Sequence, residues 1–443
     1  MVKNKYFNLS GWGRNIKASC QLINYDKKEF SENFPKSKLI PRGLGRAYGD
    51  SALQPKLTVS MTKHNKIIKF DRSKGIIKVQ SGVSISQLLS LIVKHGWFMP
   101  VTPGSKNVTI GGMVASNVHG KNHHVDGGFG NFVENLSVID VSGNQKQCSK
   151  KSNRDLFYMT LGGMGLTGII TEITFKLLKI ETSKILQKKI FTKDLRDTMN
   201  LFENEQTKYS VAWIDFNANN MSIGRSIIYL GNHAKKKDLK KANVDFALLF
   251  QDKLKLNIKF ESPFLFINYY TIKIFNYFYN LSEKIFENKF TDLNNFFYPL
   301  DKIKNWNLLY GKRGFVQYQF VLPKEKSYEG ILEVIKYLNM KKTIPFLPVL
   351  KYFNSSDVGI LSFPIRGFTL AMDFPQSKKL IPILNHLDKI VIKYHGKIYL
   401  TKDSRISKSN FKKMHKKELL KFKKSKYFDI KKFSSLQSER LFK

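Results

Sequence analysis

Two glycine-rich segments carry the residue types and spacings that could do chemistry. Residues 41–51, PRGLGRAYGDS, follow a short apolar run and hold Gly43, Gly45 and Gly49. Glycines at that density free consecutive backbone N–H groups to converge on an anion, the nest arrangement that can hold a pyrophosphate. After Gly45 the chain reads Arg46, Ala47, Tyr48, Gly49, so this is not a GxGxxG fingerprint and a nicotinamide dinucleotide is not favoured. Residues 103–124, PGSKNVTIGGMVASNVHGKNHH, form the second segment. Its paired Gly111 and Gly112, followed by small residues, let the chain lie flat against a planar group. His119, His123 and His124 raise the question of zinc. With no carboxylate or thiolate at ligand spacing, a metal is not expected, and one histidine touching a cofactor is the favoured reading.

Elements must hold these segments in place. From residue 38 onward, short apolar strands alternate with glycine turns, and SISQLLSLIVKHG has helical spacing, which is α+β texture. ENLSVIDVSGNQKQ reads as two strands about a Ser-Gly turn, and a glycine cluster feeds the strand GIITEITF. A first domain is expected to close near residue 180. From 181 to 396 glycine becomes sparse, and SVAWIDF, FVQYQFVLP and FTLAMDF alternate as strands of one sheet. The aromatic stretch 246–299 has few turn signals, and within it residues 264–279 are read either as ordinary core of this second domain or as a surface that dips into a membrane interface. GKIYLTKDSR and the basic tail suggest a return to the first domain.

The totals fit a folded enzyme of two or three domains: 443 residues, 42% hydrophobic and 13% aromatic. A formal charge of +41 would attract nucleic acid, anionic lipid or phosphorylated substrates, although a Lys-rich composition has the same total without a function. Cys20 and Cys148 make no disulfide framework or metal motif, so a reducing compartment is expected. The N-terminal residues lack an apolar export signal, and residues 264–279 are too short and too polar to span a bilayer. The expected location is cytoplasmic, with peripheral contact to the inner membrane face.

RGLGRAYGD, PGSKNVTIGG, HGKNHH followed by GGFGN, GGMGLTGII, FVQYQFVLP and TKDSR occur in this order. Together they resemble the decaprenylphosphoryl-β-D-ribose 2-oxidase family, within the class of FAD-linked oxidases that includes vanillyl-alcohol oxidase and the aldonolactone oxidases. The resemblance runs from Gly11 to about Leu441. It implies a two-domain PCMH-type FAD-binding fold of α+β class: residues 1–180 completed by 397–443 bind FAD, and 181–396 form a substrate domain on a mainly antiparallel sheet covered by helices.

By the same resemblance, Pro41, Arg42, Gly43, Leu44, Gly45, Arg46, Ala47, Tyr48, Gly49, Asp50 and Ser51 wrap the FAD pyrophosphate. Gly104, Thr109, Ile110, Gly111, Gly112, Ser116, Asn117, Val118, His119, Gly168 and Ile170 line the path from adenine to flavin, and Tyr399 and Lys402 close over the ring. Lys402 is the expected catalytic cation, because an ammonium placed there stabilises charge only as reduction develops it. Tyr48 and His119 are both candidates for the base. Trp213, Gln317, Gln319, Lys351, Thr369 and Ala371 match the substrate cavity, with Lys351 the partner of a substrate phosphate.

The implied substrate is a pentose carried on a polyprenyl phosphate, oxidised to a keto-sugar as the first half of a 2-epimerisation, with a short-chain NAD(P)-dependent reductase as partner. Covalently flavinylated members of the class carry His where Arg46 stands, so FAD is expected to be non-covalent. Ala371 replaces a cysteine of the mycobacterial enzymes, and Thr369 replaces an Asn, which leaves the sugar open. The rival readings are a soluble-sugar or aldonolactone oxidase on the same fold and, remotely, a basic nucleic-acid-binding protein.

Overall fold

In the computed structural model, residues 5–216, 222–239, 246–251, 256–262, 267–285, 289–355 and 357–443 are described. Among the described residues up to 180 the chain builds a two-stranded pair, Trp97–Phe98 with Leu178–Lys179, and two larger sheets. One has the order Tyr6–Ser10, Lys17–Asn24, Thr58–Ser60, Ile40–Arg42, antiparallel at its first pair and parallel thereafter. The other is wholly antiparallel, in the order Ile67–Asp71, Ile76–Gln80, Ile169–Lys176, Val133–Ile139, Gln145–Ser149. The helical spacing at residue 85 becomes the helix Ile85–Ile92. Ser84 and Gln87 cap it reciprocally, and Ile85, Leu88, Leu89 and Ile92 face inward.

Residues 184–398 supply an eight-stranded antiparallel sheet. Its order is Phe290–Asp292, Lys184–Phe191, Ser226–His233, Tyr209–Ile214, Phe346–Phe353, Gly367–Pro375, Phe315–Pro323, Lys397–Ile398. Alternation divides its two faces. Tyr318, Phe320, Leu370 and Met372 are buried in the core, where the helices Lys324–Met340 and Leu380–Lys393 cover the sheet. Their neighbours Gln317, Gln319, Thr369, Ala371 and Asp373 point the other way, toward the first two sheets. The strand period thus sets a polar row against the flank of the glycine-rich segments.

Lys397–Ile398 completes the large sheet, and the return to the first two sheets begins at Tyr399. There Thr401 O accepts from Tyr48 N, and Leu39 exchanges backbone hydrogen bonds with Lys432 and Ser434. Of the aromatic stretch 246–299, residues 252–255, 263–266 and 286–288 lie outside the described residues. Within the rest, the helix Tyr269–Ile285 lies with Ile272 and Asn276 buried.

Candidate active site

A cavity of about 1170 Å³ runs between the glycine-rich segments and the polar face of the large sheet. Its first wall is the loop 41–51. Gly45 takes φ +66°, a left-handed turn that favours glycine, and a Cβ at Gly43 would stand 2.2 Å from Thr109 Oγ1, so only glycine lets these two segments approach. Arg42 is half-buried and ties the loop from behind, its guanidinium donating to Ser10 O and Ala52 O. Among the described residues, the N–H groups of residues 43–47 find no acceptor in the protein. Such a run of free amides is the nest that an anion would fill.

The middle of the cavity is strongly cationic. Lys402 Nζ lies 3.7 Å from the centre of the Tyr48 ring, and Lys351 and Lys121 line the same cavity, all three half-buried. Burial pushes the Lys351 ammonium down to about 8. Burial, and then the Lys351 charge, push Lys121 down to about 7. Burial also lowers Lys402, opposed by the Asp373 carboxylate and reinforced by Lys351. Half-buried ammonium groups lining one cavity favour an anionic guest that restores the lost solvation.

His119 stands among Phe353, Tyr399 and Phe363, with ring centres 4.9, 5.3 and 6.0 Å away. Gln319 Nε2 donates to its Nε2 at 3.0 Å, and its Nδ1 is buried without a partner. Burial first, then Lys351, His123 and Lys402, push its pKa well below the usual imidazole value, so the ring is neutral near pH 7. Burial, then Asp373, pushes the Tyr48 phenol well above its usual value.

Most of the expected residues meet in this one cavity: the loop 41–48 with Ser51, the flat segment with His119, Gly168 and Ile170, Tyr399 and Lys402, and all six substrate residues. Four stand behind the wall. Asp50 turns away to pair with Arg440, and Gly49 packs on the backbone of Asp403 and Ser404. Ile110 is core, and Asn117 donates to Val358 O and Ser362 Oγ. The three histidines also diverge: His123 bonds Asp357 at 3.0 Å, whereas His124 bonds Thr207 O at 2.9 Å. Among the described residues no three His, Cys, Asp or Glu side chains form a metal cluster.

Several lining residues were not among the expected site residues: Asp373, Lys121, Ser81, Asp301, and the aromatic group Tyr229, Phe275, Tyr279 and Phe296. Asp373 had a signal, because it follows Thr369 and Ala371 at the same strand period. Phe275 and Tyr279 had none, since the helix Tyr269–Ile285 shows which face it turns inward only once folded.

The lining suits a long flavin dinucleotide. Ser81 and His119 line it and each buries a polar atom, Oγ and Nδ1, without a partner, and the loop of free amides and the ammonium groups line the same space. Residues 32–149 match the family model of an FAD binding domain. The chain is 32% identical over 421 residues to a decaprenylphosphoryl-β-D-ribose oxidase from Mycolicibacterium smegmatis, covering 92% of this chain and 91% of that protein. This chain belongs to the decaprenylphosphoryl-β-D-ribose oxidase family. It is an FAD-dependent oxidoreductase of α+β class, with the PCMH-type FAD-binding domain of that family. Mouse L-gulonolactone oxidase is 23% identical over 402 residues, covering 84% of this chain and 82% of that one. Among solved structures, a xylooligosaccharide oxidase from Myceliophthora thermophila aligns with a TM-score of 0.60 at 12% identity, over 87% of this chain and 82% of its own, and shares the fold.

Arg440 holds the cavity wall together from outside, pairing at 3.0 Å with both Asp50, beside the loop, and Asp403, beside Lys402. Burial raises the pKa of Asp50, so losing its cation leaves a carboxylate that is costly to keep charged. Arg440→Ala should lower stability by about 3 kcal/mol, and FAD should dissociate more readily. Thermal melting with flavin fluorescence on the purified holoprotein measures both, and an unchanged midpoint and flavin content would refute the tie.

Proposed function

We propose that this oxidoreductase removes a hydride from a ring carbon of a pentose carried on a polyprenyl phosphate, giving a keto-sugar that a separate short-chain NAD(P)-dependent reductase would reduce. The observation that carries this reading is the convergence of Lys402, Lys351, the polar sheet face and the aromatic side chains Tyr229, Phe275, Tyr279 and Phe296 on one cavity. Residues 1–180 with 397–443 would serve as the FAD-binding domain and 181–396 as the substrate domain. Bound FAD supplies the two-electron acceptor. Loop 41–48 would hold the pyrophosphate on its free amides, and Ser116, Val118, Gly168 and Ile170 would pack along the dinucleotide. Tyr399 would flank the ring. Lys402 would place its ammonium where negative charge develops, and Lys351 would meet the substrate phosphate. Gln317, Gln319, Thr369 and Trp213 would orient the sugar, while Phe275, Tyr279 and Phe296 would receive the first isoprene units.

The likeness to L-gulonolactone oxidase supports a second reading, oxidation of a free sugar or lactone. Anaerobic bleaching of the flavin band separates the two: a polyprenyl-phosphate pentose should bleach it, and free pentoses and aldonolactones should not. Bleaching by the free sugars alone would reverse that order. Lys402→Ala should retain FAD while its reduction slows by about 100-fold or more, and near-normal reduction would dismiss the role of Lys402.

Arg46 stacks on Trp12 at 3.9 Å and offers no nucleophile to the flavin, which favours non-covalent FAD. Acid precipitation should therefore leave the yellow colour in the supernatant; colour retained in the pellet would contradict it.

Among the described residues no helix is long and apolar enough to cross a membrane. The helix Tyr269–Ile285 nevertheless turns Tyr270, Ile274, Tyr277, Phe278, Leu281 and Ile285 to solvent, with Tyr270 75% and Tyr277 67% exposed. Exposed Lys273 and Lys284 lie on the same helix, whose inner side chains Phe275 and Tyr279 line the cavity. This arrangement supports peripheral docking on anionic lipid, with the lipid-linked substrate entering beneath the helix. The protein should sediment with phosphatidylglycerol vesicles at low salt and be released by high salt, and the double change Tyr277→Asp and Phe278→Asp should abolish sedimentation. Equal sedimentation of that variant would count against the helix.

A further inference from the structure

We propose that the Asp373 carboxylate accepts the substrate's hydroxyl proton during oxidation, a role that rests on the oxidase reading above. The C–H bond would break with its electron pair leaving as hydride to FAD, the O–H bond would break with its proton passing to Asp373, and a C=O bond would form. The proton would return to water when product leaves.

The argument begins with placement. Asp373 lies on the strand Gly367–Pro375, two residues beyond Ala371, so it shares the cavity-facing row with Thr369 and Ala371. Its cross-strand neighbour is Gln317, whose Nε2 donates to Asp373 Oδ1 at 2.5 Å and fixes the carboxylate plane. Among the described residues Oδ2 receives no hydrogen bond. Lys402 faces Asp373 from the C-terminal segment, Tyr48 from the loop 41–51, and Tyr310 from the turn Trp306–Tyr310, with Lys351 beyond Lys402.

The alternatives are already engaged. Among the described residues three carboxylates line the cavity, and two of them are engaged: Asp301 accepts from Ser105 Oγ at 2.8 Å and Lys106 N at 2.7 Å, and Glu283 pairs with Lys189 at 2.6 Å. His119 Nε2 accepts from Gln319, which puts the neutral ring's proton on Nδ1, so neither nitrogen offers a free lone pair. The Tyr48 ring lies beneath the Lys402 ammonium, and its buried phenol keeps its proton at neutral pH. A proton acceptor works best when its affinity for the proton matches the working pH. Burial raises the Asp373 carboxyl well above the usual carboxylate range, while Gln317 and then Lys402 hold it back, so the group changes charge within the range where the enzyme must turn over.

The sign of the pH dependence follows. Asp373 must be ionised and Lys402 protonated, so flavin reduction should rise with pH as Asp373 loses its proton and fall as Lys402 loses its own, a bell. In Asp373→Asn, FAD content and visible spectrum should be retained, anaerobic reduction by a polyprenyl-phosphate pentose should slow by about 10²-fold to 10⁴-fold, the low-pH limb should vanish, and added formate should restore part of the rate. Tyr48→Phe and His119→Gln should keep that limb. A substrate-free readout stands beside these: infrared titration of the oxidised holoprotein should show one carboxylic-acid band disappearing as pH rises through neutrality, absent from Asp373→Asn. Wild-type reduction by the Asn variant, a low-pH limb that survives in it, or a wild-type protein without the titrating band would each overturn the proposal. If the lipid-linked pentose fails to reduce wild-type protein while the band is present, the substrate reading fails and the assignment of Asp373 stands for whichever alcohol bleaches the flavin.

Discussion

Everything at this site depends on charge kept out of water. Lys402, Lys351 and Lys121 are half-buried around one cavity, each stripped of much of its solvation, and the Asp373 carboxylate faces Lys402. Isolated, each ammonium would be expelled to solvent or lose its proton. They are held in place because their backbones belong to three different elements that are each fixed by unrelated packing. Lys351 rides on a central strand of the large sheet, Lys121 follows the flat histidine segment, and Lys402 sits on the segment that crosses back after the sheet ends.

That crossing is secured by a second set of buried charges. Arg405, Tyr318 and Asn410 all converge on Asp388, and Arg440 spans Asp50 and Asp403. Replacing either partner leaves an uncompensated charge, so these pairs specify where the chain goes more than they add net stability. The outcome is that Tyr48 and Lys402, distant in sequence, meet at van der Waals range.

Much of this was legible in the sequence, for identifiable reasons. Glycine density marked the loop 41–51 because close backbone approach excludes side chains, and alternation marked FVQYQFVLP and FTLAMDF because strand geometry demands it. What spacing does not encode is the direction of a side chain at a bend. Asp50 and Asn117 sit inside the right segments yet point to Arg440 and to Val358, partners hundreds of residues away. Nor could composition choose a face for the aromatic stretch, since Tyr279 and Tyr277 are the same residue type on opposite sides of one helix.

The helix Tyr269–Ile285 has a further consequence. Its outer apolar stripe and its inner cavity wall are two sides of one helix, so under the docking proposed above a guest reaching Phe275 and Tyr279 from a bilayer would not pass through bulk water. For such an arrangement the quantity that governs encounter is the packing of substrate within the leaflet, its mole fraction among neighbouring lipids, and not its nominal molarity in the tube. Diluting the same number of substrate molecules into more bilayer would then slow the enzyme even when total volume is unchanged.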